Sequence, residues 1–215
     1  MPRMSKTALL AGASGLTGAE LIRQLLDHPA YDKVISLGRR PLPIEHPKLV
    51  QHPFNFEQPD LDGFKVDDVY CALGTTLRKA GSQVAQYRVD HDYPLLLAQA
   101  AKACGARQYM LVSSIGADAD SGNFYLRTKG TLERDLQALG FDSLIVVRPS
   151  FLFGPRQEFR LGEKIGIGLA KLFAPLIPKK YRGIHVQKVA NALISNAQQN
   201  FNGLLILESD RLHDY

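Results

Sequence analysis

Thr7-Ala8-Leu9-Leu10-Ala11-Gly12-Ala13-Ser14-Gly15-Leu16-Thr17-Gly18 is the stretch whose reading decides the fold. Its first five residues are a short apolar run of the kind that forms a buried parallel strand. Ala19 to Leu26 then carries Leu21, Ile22, Leu25 and Leu26 at helical spacing. Gly12, Gly15 and Gly18 therefore fall where a strand turns into a helix, the context that gives a glycine pattern its meaning. Without Cβ atoms the backbone turns tightly and approaches a pyrophosphate, whose charge meets free N–H groups at the helix N-terminus. The turn is suited to a dinucleotide.

Lys33 to Leu37 reads as the second strand. An NAD-binding unit commonly ends this strand with Asp or Glu, which holds the ribose 2′-OH. Gly38, Arg39 and Arg40 stand there instead. A guanidinium binds a 2′-phosphate in a fork and stacks on adenine, and no carboxylate is present to repel that phosphate. Arg39 and Arg40 thus point to NADPH.

The 215 residues suit one NAD(P)-binding domain spanning the whole chain, and 45% hydrophobic with 22% charged residues is ordinary for a globular protein. The formal charge of +5 is modest and spread, with short clusters at Arg39-Arg40 and Lys179-Lys180, so a nucleic-acid surface is not indicated. Met1 to Lys6 is too short for a signal peptide, and no apolar run approaches a membrane span. Cys71 and Cys104 lack metal-ligand or redox spacing and read as small core thiols. A cytoplasmic location and no metal are expected.

Further strands are expected weakly around Leu49-Val50, then over Val66–Leu73, Gln108–Ser113, Ser143–Val147 and Gly203–Leu207. Helices are expected from Ser82 to about Cys104 with a break near Pro94, over Phe124–Leu139 closed by Gly140, and over Val186–Ala197. Strands alternating with helices imply a Rossmann-type α/β fold, a doubly wound parallel sheet with helices on both faces. Between Phe151 and Gly183 the pattern changes, and a small substrate-side cap or a subunit contact is expected there.

Tyr125 and Lys129 lie four residues apart, on one face of the expected helix. A free phenol has a pKa of about 10, and a nearby ammonium lowers it, which brings proton exchange with a substrate oxygen within reach. By itself this spacing also describes a solvated helix face. Here it follows a strand ending in Ser113-Ser114, where a serine can hydrogen-bond a substrate oxygen.

The glycine turn, the serine-ended strand and Tyr-x-x-x-Lys resemble the extended and atypical short-chain dehydrogenases/reductases. Arg148-Pro149 and Leu152-Phe153-Gly154-Pro155 resemble the segment bordering the nicotinamide end in those enzymes. Cys71-Ala72-Leu73-Gly74-Thr75-Thr76, Lys79-Ala80-Gly81, Arg88-Val89-Asp90, Gly116-Ala117-Asp118 and Arg156-Gln157-Glu158 are similar to the Tat-interactive oxidoreductase-like family, related to a metastasis suppressor. The resemblance implies that Ser14, Gly15, Leu16 and Thr17 hold the pyrophosphate and Arg39 and Arg40 the 2′-phosphate. It places Leu73 and Gly74 along the adenosine and ribose, and Leu152 and Arg160 near the nicotinamide. Tyr125 becomes the proton donor or acceptor and Lys129 its partner. Ser113 and Ser114 compete for one role, with Ser114 favoured. Extended reductases often place an asparagine where this chain has Asp90, which puts a proton relay there in doubt.

The expected function is an NADPH-dependent oxidoreductase acting on the carbonyl of a small molecule. An NADPH-binding regulatory protein, acting through a protein partner or a homo-oligomer, is the alternative. A sugar epimerase is disfavoured, because little chain follows Pro149 to build a nucleotide-sugar subdomain.

Overall fold

A computed structural model describes residues 5–155, 178–199 and 201–215. In chain order the strands are β1 (Lys6–Ala11), β2 (Tyr31–Gly38), β3 (Leu49–Pro53), β4 (Asp68–Cys71), β5 (Gln108–Val112), β6 (Ser143–Arg148), β7 (Leu152–Phe153), β8 (Ile184–His185) and β9 (Gly203–Glu208). Seven form one sheet in the order β3-β2-β1-β4-β5-β6-β9, parallel at every pairing. β7 and β8 pair separately.

Alternation along each strand divides the core in two. Ala8, Leu10, Val34, Tyr70, Met110 and Ile145 face helices α1 (Leu16–Asp27) and α6 (Val186–Ala197). Leu9, Ala11, Ile35, Val69, Leu111 and Val146 face α4 (Tyr93–Ala103) and α5 (Phe124–Ala138). Strands covered on both faces read as near-continuous apolar runs, as these do. From β1 the chain winds outward to β2 and β3, then crosses back to β4 on the other side. The crevice at the C-terminal ends of β1 and β4 is therefore the topological switch point, where such sheets take ligands.

The helix expected from Ser82 to Cys104 is in fact three pieces. Ser82 caps α3 (Gln83–Tyr87), a π turn covers Arg88–Asp92, and α4 follows with Pro94 in its first turn. Pro94 has no N–H to return to the carbonyl of Asp90, and the chain widens, with Tyr93 N–H reaching Arg88 instead. A short helix, α2 (Leu77–Ala80), was not expected; Thr76 caps its start and Gly81, at φ +83°, ends it. The chain closes with α7 (Ser209–Leu212). Of the expected cap, residues 156–177 lie outside the described residues, and Arg160 with them.

Candidate functional site

The glycine turn is packed so closely that side chains have no room. Gly12 has φ +90°, and a Cβ there would lie 2.6 Å from the carbonyl carbon of Ala72, just beyond β4. A Cβ on Gly18 would lie 2.0 Å from the Gly12 carbonyl oxygen, so the first turn of α1 rests directly on the loop. Gly15 N–H donates to that same oxygen at 2.9 Å. α1 then starts with neither a side-chain cap nor an acidic residue in its first turn. Among the described residues, the leading N–H groups of Leu16, Thr17 and Gly18 thus meet no carboxylate, and Ser14 and Gly15 are exposed beside them. A helix start that presents donors and lacks acceptors fits a pyrophosphate.

Arg39 and Arg40 follow β2 directly and are exposed, and neither has a hydrogen bond or ion pair among the described residues. Leu73 and Gly74 leave the end of β4 on the other side of the turn, the first half-buried and the second exposed. The switch point is thus flanked by both expected cofactor segments.

α5 brings the chemistry. Asn123 caps it by accepting Leu126 N–H, and Gly130 lets it lie on the loop after β5, where a Cβ would come within 2.2 Å of the Asp118 and Ala119 backbone. Tyr125 is half-buried, and Lys129 Nζ stands over its ring, 6.0 Å from the centroid. Lys129 Nζ also lies 2.8 Å from Asp90 Oδ1, with the two side chains only 3% and 1% exposed. The contact is an ion pair by distance. Asp90 Oδ2 accepts Thr75 N–H at 3.3 Å. Burial pulls the Lys129 ammonium downward, but Asp90 and then Tyr125 outweigh it, and the group is held above the usual lysine value.

The two serines separate. Ser113 is buried and donates its hydroxyl to Glu133, which Arg148 Nη2 holds at 2.6 Å while its Nη1 reaches Glu208 at 2.9 Å. Ser114 is half-buried, with one long 3.4 Å contact to the Ile115 carbonyl. Leu152, half-buried in β7, belongs to a segment folded over the glycine turn. A Cβ on Gly154 would lie 2.6 Å from Val186 Cγ2 and 3.6 Å from Leu16 Cδ1. Thr75 and Glu133 are site neighbours that the sequence did not point to, whereas Asp90, set by the resemblance at the asparagine position of extended reductases, lies against Lys129. Period-2 alternation does carry a signal for Ser113, which continues the Tyr109 and Leu111 face toward α5.

A parallel sheet with a glycine turn at its switch point and a Tyr–Lys helix beside it defines a Rossmann-type protein of the extended short-chain dehydrogenase/reductase class. The chain belongs to the NAD dependent epimerase/dehydratase family, whose pattern matches residues 8–174. It is 38% identical to protein HTATIP2 of Rattus norvegicus over 201 residues, which span 89% of this chain and 81% of that protein. It is 39% identical to the mitochondrial protein FMP52 of Candida glabrata over 162 residues, 74% and 70% of the two chains. MoeE5 in complex with UDP-glucose and NAD shares the fold at TM-score 0.71 and 21% identity, over 94% of this chain and 75% of that one. UDP-glucose 4-epimerase of Thermotoga maritima does so at TM-score 0.71 and 15% identity, over 95% and 77%.

These relatives correct one expectation. The cytoplasmic location does not stand, since the Candida glabrata relative and that of Saccharomyces cerevisiae, 36% identical, are mitochondrial by name. Cys71 and Cys104 are unpaired, and two free thiols do not locate a protein. No helix among the described residues is long and apolar enough to cross a membrane.

Proposed function

We propose that the chain is an NADPH-dependent reductase of a carbonyl on a small molecule. The observation that carries this reading is the buried Lys129 ammonium, paired with Asp90 and set over the Tyr125 ring. Ser14, Gly15, Leu16 and Thr17 would hold the pyrophosphate between Gly12 and Gly18. Arg39 and Arg40, free of protein carboxylates among the described residues, would hold the 2′-phosphate, which favours NADPH over NADH. Leu73 and Gly74 would lie along the adenosine and ribose, and Leu152 and Arg160 would border the nicotinamide.

The reduced nicotinamide, when bound, supplies a hydride to the carbonyl carbon. Tyr125 gives its hydroxyl proton to the carbonyl oxygen, and the Lys129 ammonium stabilises the phenolate that remains. Ser114, whose hydroxyl has only a long backbone contact among the described residues, donates a hydrogen bond to the same oxygen as charge develops on it. The product is an alcohol, and Tyr125 recovers its proton from solvent.

The test is a panel of aldehydes and ketones followed by the absorbance of reduced nicotinamide, with the parent protein and Tyr125→Phe. Turnover that the variant lowers by about 10²-fold or more supports the reading. Tight NADPH binding with no turnover dependent on Tyr125 would overturn it in favour of a regulatory protein that binds the nucleotide.

A further inference from the structure

We propose that Asp90 is a positioning residue, a role that rests on the reductase reading: its carboxylate anchors the Lys129 ammonium against Tyr125 and ties both to the Gly74–Thr75 segment.

Asp90 and Lys129 come from different elements and meet almost wholly out of water. A buried ammonium with no counter-charge sheds its proton, and a neutral Lys129 offers nothing to a phenolate. Among the described residues, the remaining titratable groups facing Lys129 are Tyr125, on its own helix, and the Cys71 thiol at the end of β4, which burial pushes up and keeps neutral. Asp90 is therefore the carboxylate that keeps this lysine charged.

The same carboxylate reaches the cofactor side. Its Oδ2 accepts Thr75 N–H, and a Cβ on Gly74 would sit 3.3 Å from Asp90 Oδ1 and 3.8 Å from Lys129 Nζ. The ion pair thus forms the floor on which the Gly74 backbone rests. Asp90 is held there by the π turn, which is docked on α5 by a second polar contact. His91 Nε2 lies 3.0 Å from Asp135 Oδ2, its Nδ1 lies 2.9 Å from Asp92 Oδ1, and the Tyr87 ring stacks on it at 4.5 Å. Tyr125, Lys129, Asp90 and the Gly74–Thr75 backbone form one chain of contacts from the proposed proton donor to the proposed ribose segment.

The test follows the lysine directly. The protein, labelled with ¹³C at lysine Cε, is titrated by NMR, with Lys129 assigned by its absence in Lys129→Arg. In the parent, Lys129 is expected to keep its proton beyond the other lysines. In Asp90→Asn it is expected to fall below them, about two pH units or more from the parent value. Lys129 titrating at or below the other lysines in the parent would overturn the proposal whether or not the variant folds, and so would an unchanged titration in a folded Asp90→Asn. The catalytic half is read in the pH profile. Asp90→Asn should acquire a new loss of turnover at the pH where its Lys129 deprotonates, and Asp90→Glu should not. A profile without that limb removes the positioning role. Absence of any Tyr125-dependent turnover in the parent defeats the reductase reading instead and leaves the NMR result to judge the anchoring of Lys129.

Discussion

Ser113 donates its hydroxyl to Glu133 on the helix that also carries Tyr125 and Lys129. Glu133 is in turn held by Arg148, so Ser113 is bound into a strut between β5, β6 and α5. Ser114, one residue on, has no such strut among the described residues. Ser113→Ala is expected to lower stability by about 1–3 kcal/mol, the loss of a hydrogen bond to a charged group, with turnover largely kept. Ser114→Ala is expected to leave thermal unfolding unchanged and lower kcat about 10²-fold, the scale of one lost donor to a developing oxyanion. Unfolding curves and steady-state rates on the two variants decide the matter, and the reverse pattern would exchange the assignments.

Arg39 and Arg40 are expected to distinguish the two nicotinamide nucleotides. With both replaced by Ala, NADPH affinity should drop by about tenfold or more, on the scale of lost charge-assisted hydrogen bonds, and NADH affinity should hardly change. Calorimetry on the folded protein measures both. Equal weakening of the two nucleotides would sink the 2′-phosphate assignment.

Gly18→Ala is expected to damage the turn through packing alone, because the new methyl would meet the Gly12 carbonyl oxygen. Overpacking of this kind costs about 1–3 kcal/mol, and the shift of α1 should weaken nucleotide binding as well. Gly122→Ala, where a Cβ meets nothing within 4 Å, is the matched control. Comparable melting temperatures for the two variants would contradict the close approach.

Stability should vary with pH through Asp68. This carboxyl is buried at the opposite end of the sheet; burial raises it above its ordinary value, and the Tyr31 hydroxyl and Lys6 offset only part of that rise. A native value above the unfolded one means that the folded state holds the proton more tightly. Its contribution is full below the unfolded value and is lost as pH rises through the native one. Asp135 behaves oppositely. Burial opposes its ionisation, but His91 and Arg134 prevail and lower it, so its contribution is present above the unfolded value and lost as pH falls through the native one. Urea unfolding between roughly pH 4 and 7 should show a slope that Asp68→Asn flattens. An identical slope in the variant would show that Asp68 does not titrate in this window.

Much of the fold was legible because its signals are local. Thr7–Ala11, Lys33–Leu37 and Val186–Ala197 each carry their own periodicity, and the structure places β1, β2 and α6 over them. The π turn was not legible, because it depends on how Pro94 alters the hydrogen bonds of the residues before it. β7 and β8 were not legible either, since two residues each carry no period. The choice between Ser113 and Ser114 lay within reach of strand alternation, but the partner that occupies Ser113 comes from α5, 20 residues away.

By itself the sequence determined the parallel sheet, the glycine turn and the Tyr125–Lys129 face, because each is written in residues that are neighbours along one element. Only the tertiary structure decided what Lys129 meets. Asp90 lies in a π turn far from it in the chain, and packing that turn onto α5 brings the two charges to 2.8 Å with water excluded. Burial makes an unpaired charge costly and a paired one persistent, and burial is a property of the assembled molecule.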